Sequence, residues 1–232
     1  MATIKKKTNQ TPDVGEVLEN LEREGSRGFR EEQSKRYGIV AKKAYGVPMA
    51  KLLKLAKTVG REHELADALW RTGVYEARLL AAMVDEPERV TPAQMDRWAR
   101  EFENWSDCDT VCFKLFDQTP HAFAKVDKWA KSREEFVKRG AFALLASLAL
   151  HRKDATDADF VKRLPLIEQG AKDERNFVKK GVSWALRAIL MRKSPKLRAA
   201  AKKLAEKLAE STDASSRSIG KEALRELSKR VS

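Results

Sequence analysis

The hexapeptide Glu135-Phe136-Val137-Lys138-Arg139-Gly140 returns 41 residues later as Asn176-Phe177-Val178-Lys179-Lys180-Gly181. Further on, Ala185-Leu186-Arg187 returns after 38 residues as Ala223-Leu224-Arg225. A period near 40 residues holds two helices and their turns. Such a unit cannot bury its apolar face alone and must stack on its neighbours. Apolar residues recur at helical spacing almost everywhere after residue 14, and strand-type alternation is nearly absent. With only 11 Gly and 7 Pro in 232 residues, breakers are few. The fold predicted is all-α: a HEAT-like helical-repeat solenoid, an α-α superhelix with a basic concave face. An ordinary bundle with accidental similarity is the rival, and the matched blocks argue against it.

Helices are predicted over 14–23, 31–44, 49–58, 62–71, 74–85, 92–102, 106–116, 122–131, 133–151, 157–169, 174–192, 196–209 and 215–231. Gly25 and Gly28 should break the first from the second, and Gly46-Val47-Pro48 should stop the second. Pro48 and Pro92 suit first helical turns, where a missing N–H does little harm. Short connections should make sequence neighbours antiparallel. Residues 1–13 read as a disordered basic tail, and 14–232 as one repeat domain.

The formal charge is +13 and the pI near 9.7. A polyanionic partner is the simplest reason for that surplus. Each repeated block carries two adjacent cations, Lys138-Arg139 and Lys179-Lys180, at the equivalent point of its repeat. Stacking should align them, with Arg175 and Arg187, as a stripe fitted to a phosphate backbone. A merely solvated face is the alternative. No apolar run is long enough to span a bilayer, and nothing apolar follows the N-terminal lysines, so neither a membrane partner nor a secretory signal is expected. A cytoplasmic location is.

Cys108 and Cys112 lie four apart in a helical pattern and would staple nothing distant; reduced thiols are expected. With His63, His121 and His151 scattered, no metal and no cofactor are expected. Gly-rich phosphate loops, Ser/His/Asp order and HExxH are all missing.

The segment Asn104-Trp105-Ser106-Asp107-Cys108-Asp109-Thr110-Val111-Cys112-Phe113 carries the chemistry. On one helix Trp105, Asp109, Cys112, Phe113 and Phe116 share a face. A carboxylate among aromatic rings needs a partner, and it can stabilise a developing cation. Ser106-x-x-Asp109 is equally a capping-box pattern, which makes Asp109 a cap. Trp70, Trp98 and Trp129 read as core. Trp184, between Lys180 and Arg187, reads either way. Glu76 is expected to pair with Arg78 or Arg71.

These motifs resemble the AlkD-type DNA alkylation-repair glycosylases, HEAT-like proteins that release N3- and N7-alkylated purines. Trp105 and Asp109 match the family's Trp-x-x-x-Asp. Trp70-Arg71 followed by Tyr75-Glu76-Ala77-Arg78 is similar to its "LW…YE" region. Arg139 falls on its DNA-contacting Arg, and Phe177 through Arg187 follows its "F(I/V)xKAxxWxLR" block, with Trp184 as the second active-site tryptophan. Tyr37 is similar to an N-terminal tyrosine that meets DNA. Two positions depart: Asn104 and Phe136 stand where family members carry Trp.

The resemblance implies a glycosylase acting on duplex DNA from the backbone side, without a base-flipping pocket. Asp109 would stabilise an oxocarbenium-like sugar and position water, with Trp105 and Trp184 packed on the deoxyribose. Arg139, Lys138, Lys179, Lys180, Arg187, Arg175 and Tyr37 would hold DNA, and a monomer is expected. Two rivals remain open, a non-catalytic DNA-binding solenoid and a protein-interaction scaffold.

Overall fold

The computed structural model of the protein describes residues 12–231, so most of the 1–13 tail lies outside the described residues. Every element among the described residues is a helix, as the periodicity requires. The chain divides into two compact units, one ending at Arg89 and the other starting at Val90.

The first unit contains α1 (Val14–Glu24), α2 (Arg27–Tyr37), α3 (Met49–Val59), α4 (His63–Arg71) and α5 (Tyr75–Val84). Helix α5 is buried almost all round and packs on α3 and α4. The predicted 31–44 helix is corrected. Ser26 caps α2, its Oγ accepting from Phe29 N, so Gly28 sits inside the helix instead of breaking it. Gly38, at φ 63°, ends the helix in the left-handed conformation that glycine tolerates best. Glu76 is corrected too: its carboxylate is fully buried and accepts from three consecutive backbone N–H groups, Tyr45, Gly46 and Val47 (2.7–3.2 Å). It ties down the loop after α2, which would otherwise bury those donors unpaired.

The second unit contains α6 (Pro92–Arg100), α7 (Trp105–Lys114), a 3-10 turn at Phe116–Gln118, α8 (Ala122–Trp129), α9 (Glu135–His151), α10 (Asp157–Val161), α11 (Leu164–Gly170), α12 (Asn176–Leu190), α13 (Pro195–Ala209) and α14 (Ala214–Val231). The predicted 157–169 helix is two pieces, because Pro165 opens α11 at its first turn. Helices α7, α9, α12 and α14 stack in succession, and α8, α11 and α13 back α9, α12 and α14.

The repeat read from the sequence is the repeat of burial. Val137, Gly140, Ala141 and Leu144 on α9 correspond to Val178, Gly181, Val182 and Ala185 on α12, then to Ser216, Ile219, Gly220 and Ala223 on α14; all are buried. The core between layers holds Trp98, Phe116, Phe142 and Phe160, each worth about 2–3 kcal/mol of burial. A Cβ at Gly170 would meet the Phe142 ring at 2.4 Å, so the missing side chain makes room for that ring. Trp70, Trp98 and Trp129 are core, as expected.

Arginines bond across the repeats. Arg163 donates to Phe123 O (3.1 Å), Arg192 to Ala149 O (3.1 Å) and Ala155 O (2.9 Å), and Arg175 to Arg133 O (2.7 Å). Ala149 O lies in the last turn of α9, where acceptors lack intrahelical donors, and Arg133 and Ala155 lie in connections. Part of the positive surplus is therefore structural.

Candidate nucleic-acid interface and active site

Helix α7 begins at Trp105 because Asn104 caps it. Asn104 Oδ1 accepts from Ser106 N (2.9 Å) and Asp107 N (3.3 Å), while Asp107 Oδ1 accepts from Asn104 N (3.2 Å). The capping box is thus Asn104/Asp107, not Ser106/Asp109, and the cap reading of Asp109 is corrected. Asn104, a departure from the resemblance noted in the sequence, does capping work that no tryptophan can do. The shared face is corrected as well. Helix α7 ends at Lys114, and Phe116 turns inward onto Trp98 (6.1 Å) and Trp129 (5.9 Å).

Released from capping, Asp109 meets Arg139 one helix away. Asp109 Oδ1 accepts from Arg139 Nε (2.9 Å) and Oδ2 from Nη2 (2.6 Å), a bidentate fork, while Nη1 donates to Phe177 O (2.8 Å). The side chains are 19% and 7% exposed. Burial pushes the Asp109 carboxyl above the usual carboxylate range, although the Arg139 guanidinium pulls it down. Both cysteines are buried and reduced, with Cys108 Sγ against Phe136 O and Cys112 Sγ against Gly140 O. Burial also drives the Cys108 thiol well up, so it is unreactive.

Asp109 and Arg139 line a cleft of about 700 Å³, together with Lys180, Trp184, Arg187, Glu222 and Glu226. Trp184 stacks on Phe113 (centroids 5.6 Å apart, planes 16° apart), which fixes its ring at the wall. Lys180 is exposed and ion-paired to no described residue. Arg187 donates to Glu226 (2.6 Å), and Ser183 to Glu222 (2.6 Å).

The structure brings Asp109, Arg139, Lys180, Trp184 and Arg187 together. Trp105 is half-buried at the start of α7 and is not part of the cleft wall. Lys138 lies beside the pair but binds Asp173 (3.0 Å), as does Arg175 (2.7 Å). Lys179 is half-buried beside Lys180. Tyr37 ends α2 in the first unit, 49% exposed with the Arg36 guanidinium over its ring.

Sequence reasoning missed the acidic wall, Glu222 and Glu226. A signal existed: each stands 39 residues, one repeat, beyond the group it binds. Asp109 and Arg139 stand 30 apart, the shorter step between α7 and α9.

The family model for DNA alkylation repair enzymes matches residues 17–227. Among curated proteins, none matches the chain. One solved structure is described as a new family of proteins related to the HEAT-like repeat DNA glycosylases with affinity for branched DNA structures. It is similar with a TM-score of 0.75 and 21% identity, over 92% of this chain and 95% of that one. At that identity the likeness speaks for the fold, a HEAT-like helical repeat. With the family model spanning nearly its whole length, this chain belongs to the DNA alkylation repair enzyme family.

Proposed function

We propose that the protein hydrolyses the N-glycosidic bond of cationic N3- or N7-alkylated purines in duplex DNA. The observation that carries this reading is Asp109, a carboxylate held at the wall of a cleft beside the fixed Trp184 ring and Lys180, which is ion-paired to no described residue. An alkylated purine is already a good leaving group, so little acid catalysis is needed. The C1′–N bond breaks with its electron pair passing to the purine nitrogen, which neutralises the base. Water oxygen then joins C1′, and its proton leaves to Asp109 or to solvent. Asp109 opposes the positive charge that develops on the sugar in between. Trp184 offers a ring face to the same cation. Lys180 and Lys179 hold phosphates, and a phosphate approaching Arg139 draws its guanidinium off Asp109, freeing an oxygen for the sugar.

A second reading is DNA binding without base release. It is favoured by one observation: both Asp109 oxygens are taken by Arg139, which neutralises the carboxylate. Incubating duplex DNA carrying N7-methylguanine with wild type and Asp109→Asn separates the two. Free base from wild type alone, with binding retained by the variant, is the expected result. No release alongside salt-sensitive binding to duplex or branched DNA selects the second reading. Absence of salt-dependent DNA affinity would leave only a protein-interaction scaffold.

A further inference from the structure

A second polar cluster lies on the same stack of helices, outside the chemistry described above. Asp117, in the 3-10 turn after α7, has a side chain only 1% exposed. Its Oδ2 lies 2.6 Å from His151 Nδ1 and also accepts from the Ser147 hydroxyl; Oδ1 is buried without a partner. His151 is the last residue of α9, and its side chain is 46% exposed. Its ring stands edge-on to Phe113 (4.3 Å), the ring that backs Trp184. No described residue bonds to its Nε2.

We propose that His151, oriented by Asp117, binds a DNA phosphate through Nε2 when protonated, at the end of the cleft opposite Arg139. This rests on the DNA-binding reading above. Three observations converge on it. A buried carboxylate on Nδ1 keeps a proton there and fixes the ring. Nε2, the exposed nitrogen, is therefore the one that can take up a further proton and donate to an anion. The position fits a backbone. His151 follows Arg139 by twelve residues on one helix, about 18 Å of rise and about a third of a turn round the axis, which sets the two cations apart along the cleft side of α9. Its ring touches Phe113, which stacks on Trp184 of the cleft wall. The end of α9 also favours a cation.

The charged groups around it leave the site open to an anion. Asp117 on the 3-10 turn is covered. Arg152 bonds Asp154 (2.8 Å), and Arg192 of the segment after α12 is committed to the carbonyls of Ala149, Arg152 and Ala155. From α7 the facing group is the neutral ring of Phe113.

The test is duplex affinity by fluorescence anisotropy from pH 5.5 to 8 at fixed salt, for wild type, His151→Gln and Lys180→Ala. Wild-type affinity should fall about fivefold to tenfold as pH rises, with roughly one proton linked. His151→Gln should bind at every pH as wild type does at pH 8, and Lys180→Ala should be weaker throughout yet keep the pH dependence. The His151 ring proton resonance, followed by NMR, should titrate at higher pH with DNA bound. Binding by His151→Gln that keeps the wild-type pH profile, or a ring titration unmoved by bound DNA, overturns the proposal while leaving the DNA-binding reading intact. Failure of wild type to bind DNA at any pH overturns both. Asp117→Asn should weaken binding at pH 5.5, because the ring loses the carboxylate that orients it; unchanged affinity there removes Asp117 from the role.

Discussion

Replacing Arg139 by Met removes both donors to Asp109 and the bond to Phe177 O. Breaking a buried ion pair from one side costs about 3–5 kcal/mol, because the remaining charge is stranded. Asp109 keeps 19% exposure and borders a cleft, so water relieves part of this and about 2–3 kcal/mol remains. Asp109→Asn leaves Arg139 its carbonyl partner and a neutral acceptor, at a cost of about 1–2 kcal/mol. The double variant strands no charge. Its loss should fall short of the sum of the singles by about 1–2 kcal/mol. Urea unfolding at pH 7.5 measures all three, read by tryptophan fluorescence. Four of the five tryptophans, Trp98, Trp105, Trp129 and Trp184, report from the second unit. If the two losses add to within about 0.5 kcal/mol, the carboxylate and guanidinium do not act as a unit and the site geometry argued above is wrong.

Base release should need an ionised Asp109. Since burial raises that carboxyl, the acid limb of the rate profile should lie above the ordinary carboxylate value of about 3.9, with activity lost as pH falls through it. Arg139→Gln removes the opposing pull and should move the limb to higher pH; a limb that stays in place would assign the titration to another group. Lys180→Ala should lower the slope of log K against log salt by about 0.9, and an unchanged slope would remove Lys180 from the phosphate contacts. Gly46→Ala should destabilise the first unit by more than about 2 kcal/mol in thermal unfolding. At φ 80° its Cβ would stand 2.1 Å from Ser26 O, and near-wild-type stability would refute the close approach.

Local chemistry was legible wherever it depended on neighbours a few residues apart. Helical periodicity and the core tryptophans follow from which residues sit i, i+3 and i+4 apart, the 41- and 38-residue recurrences from direct comparison of blocks, and burial keeps both patterns. Ends of elements were less legible, because alternatives compete within a residue or two. Ser26 outweighed Gly28, and Asn104/Asp107 outweighed Ser106/Asp109, since a cap wins only when its oxygen reaches the open N–H groups.

Partners were far less legible, the one-repeat offset of Glu222 and Glu226 apart. The sequence marked Asp109 as a carboxylate in need of a counterion and Arg139 as a cation on a face, yet only stacking of α7 on α9 decided that each was the other's partner. The same holds for Glu76 under its loop, Lys138 and Arg175 on Asp173, and His151 on Asp117. Charge seen along a chain says how many polyanion contacts are available. Which cations remain free is decided across a repeat, where a carboxylate 30–40 residues away arrives within 3 Å and burial makes the match compulsory.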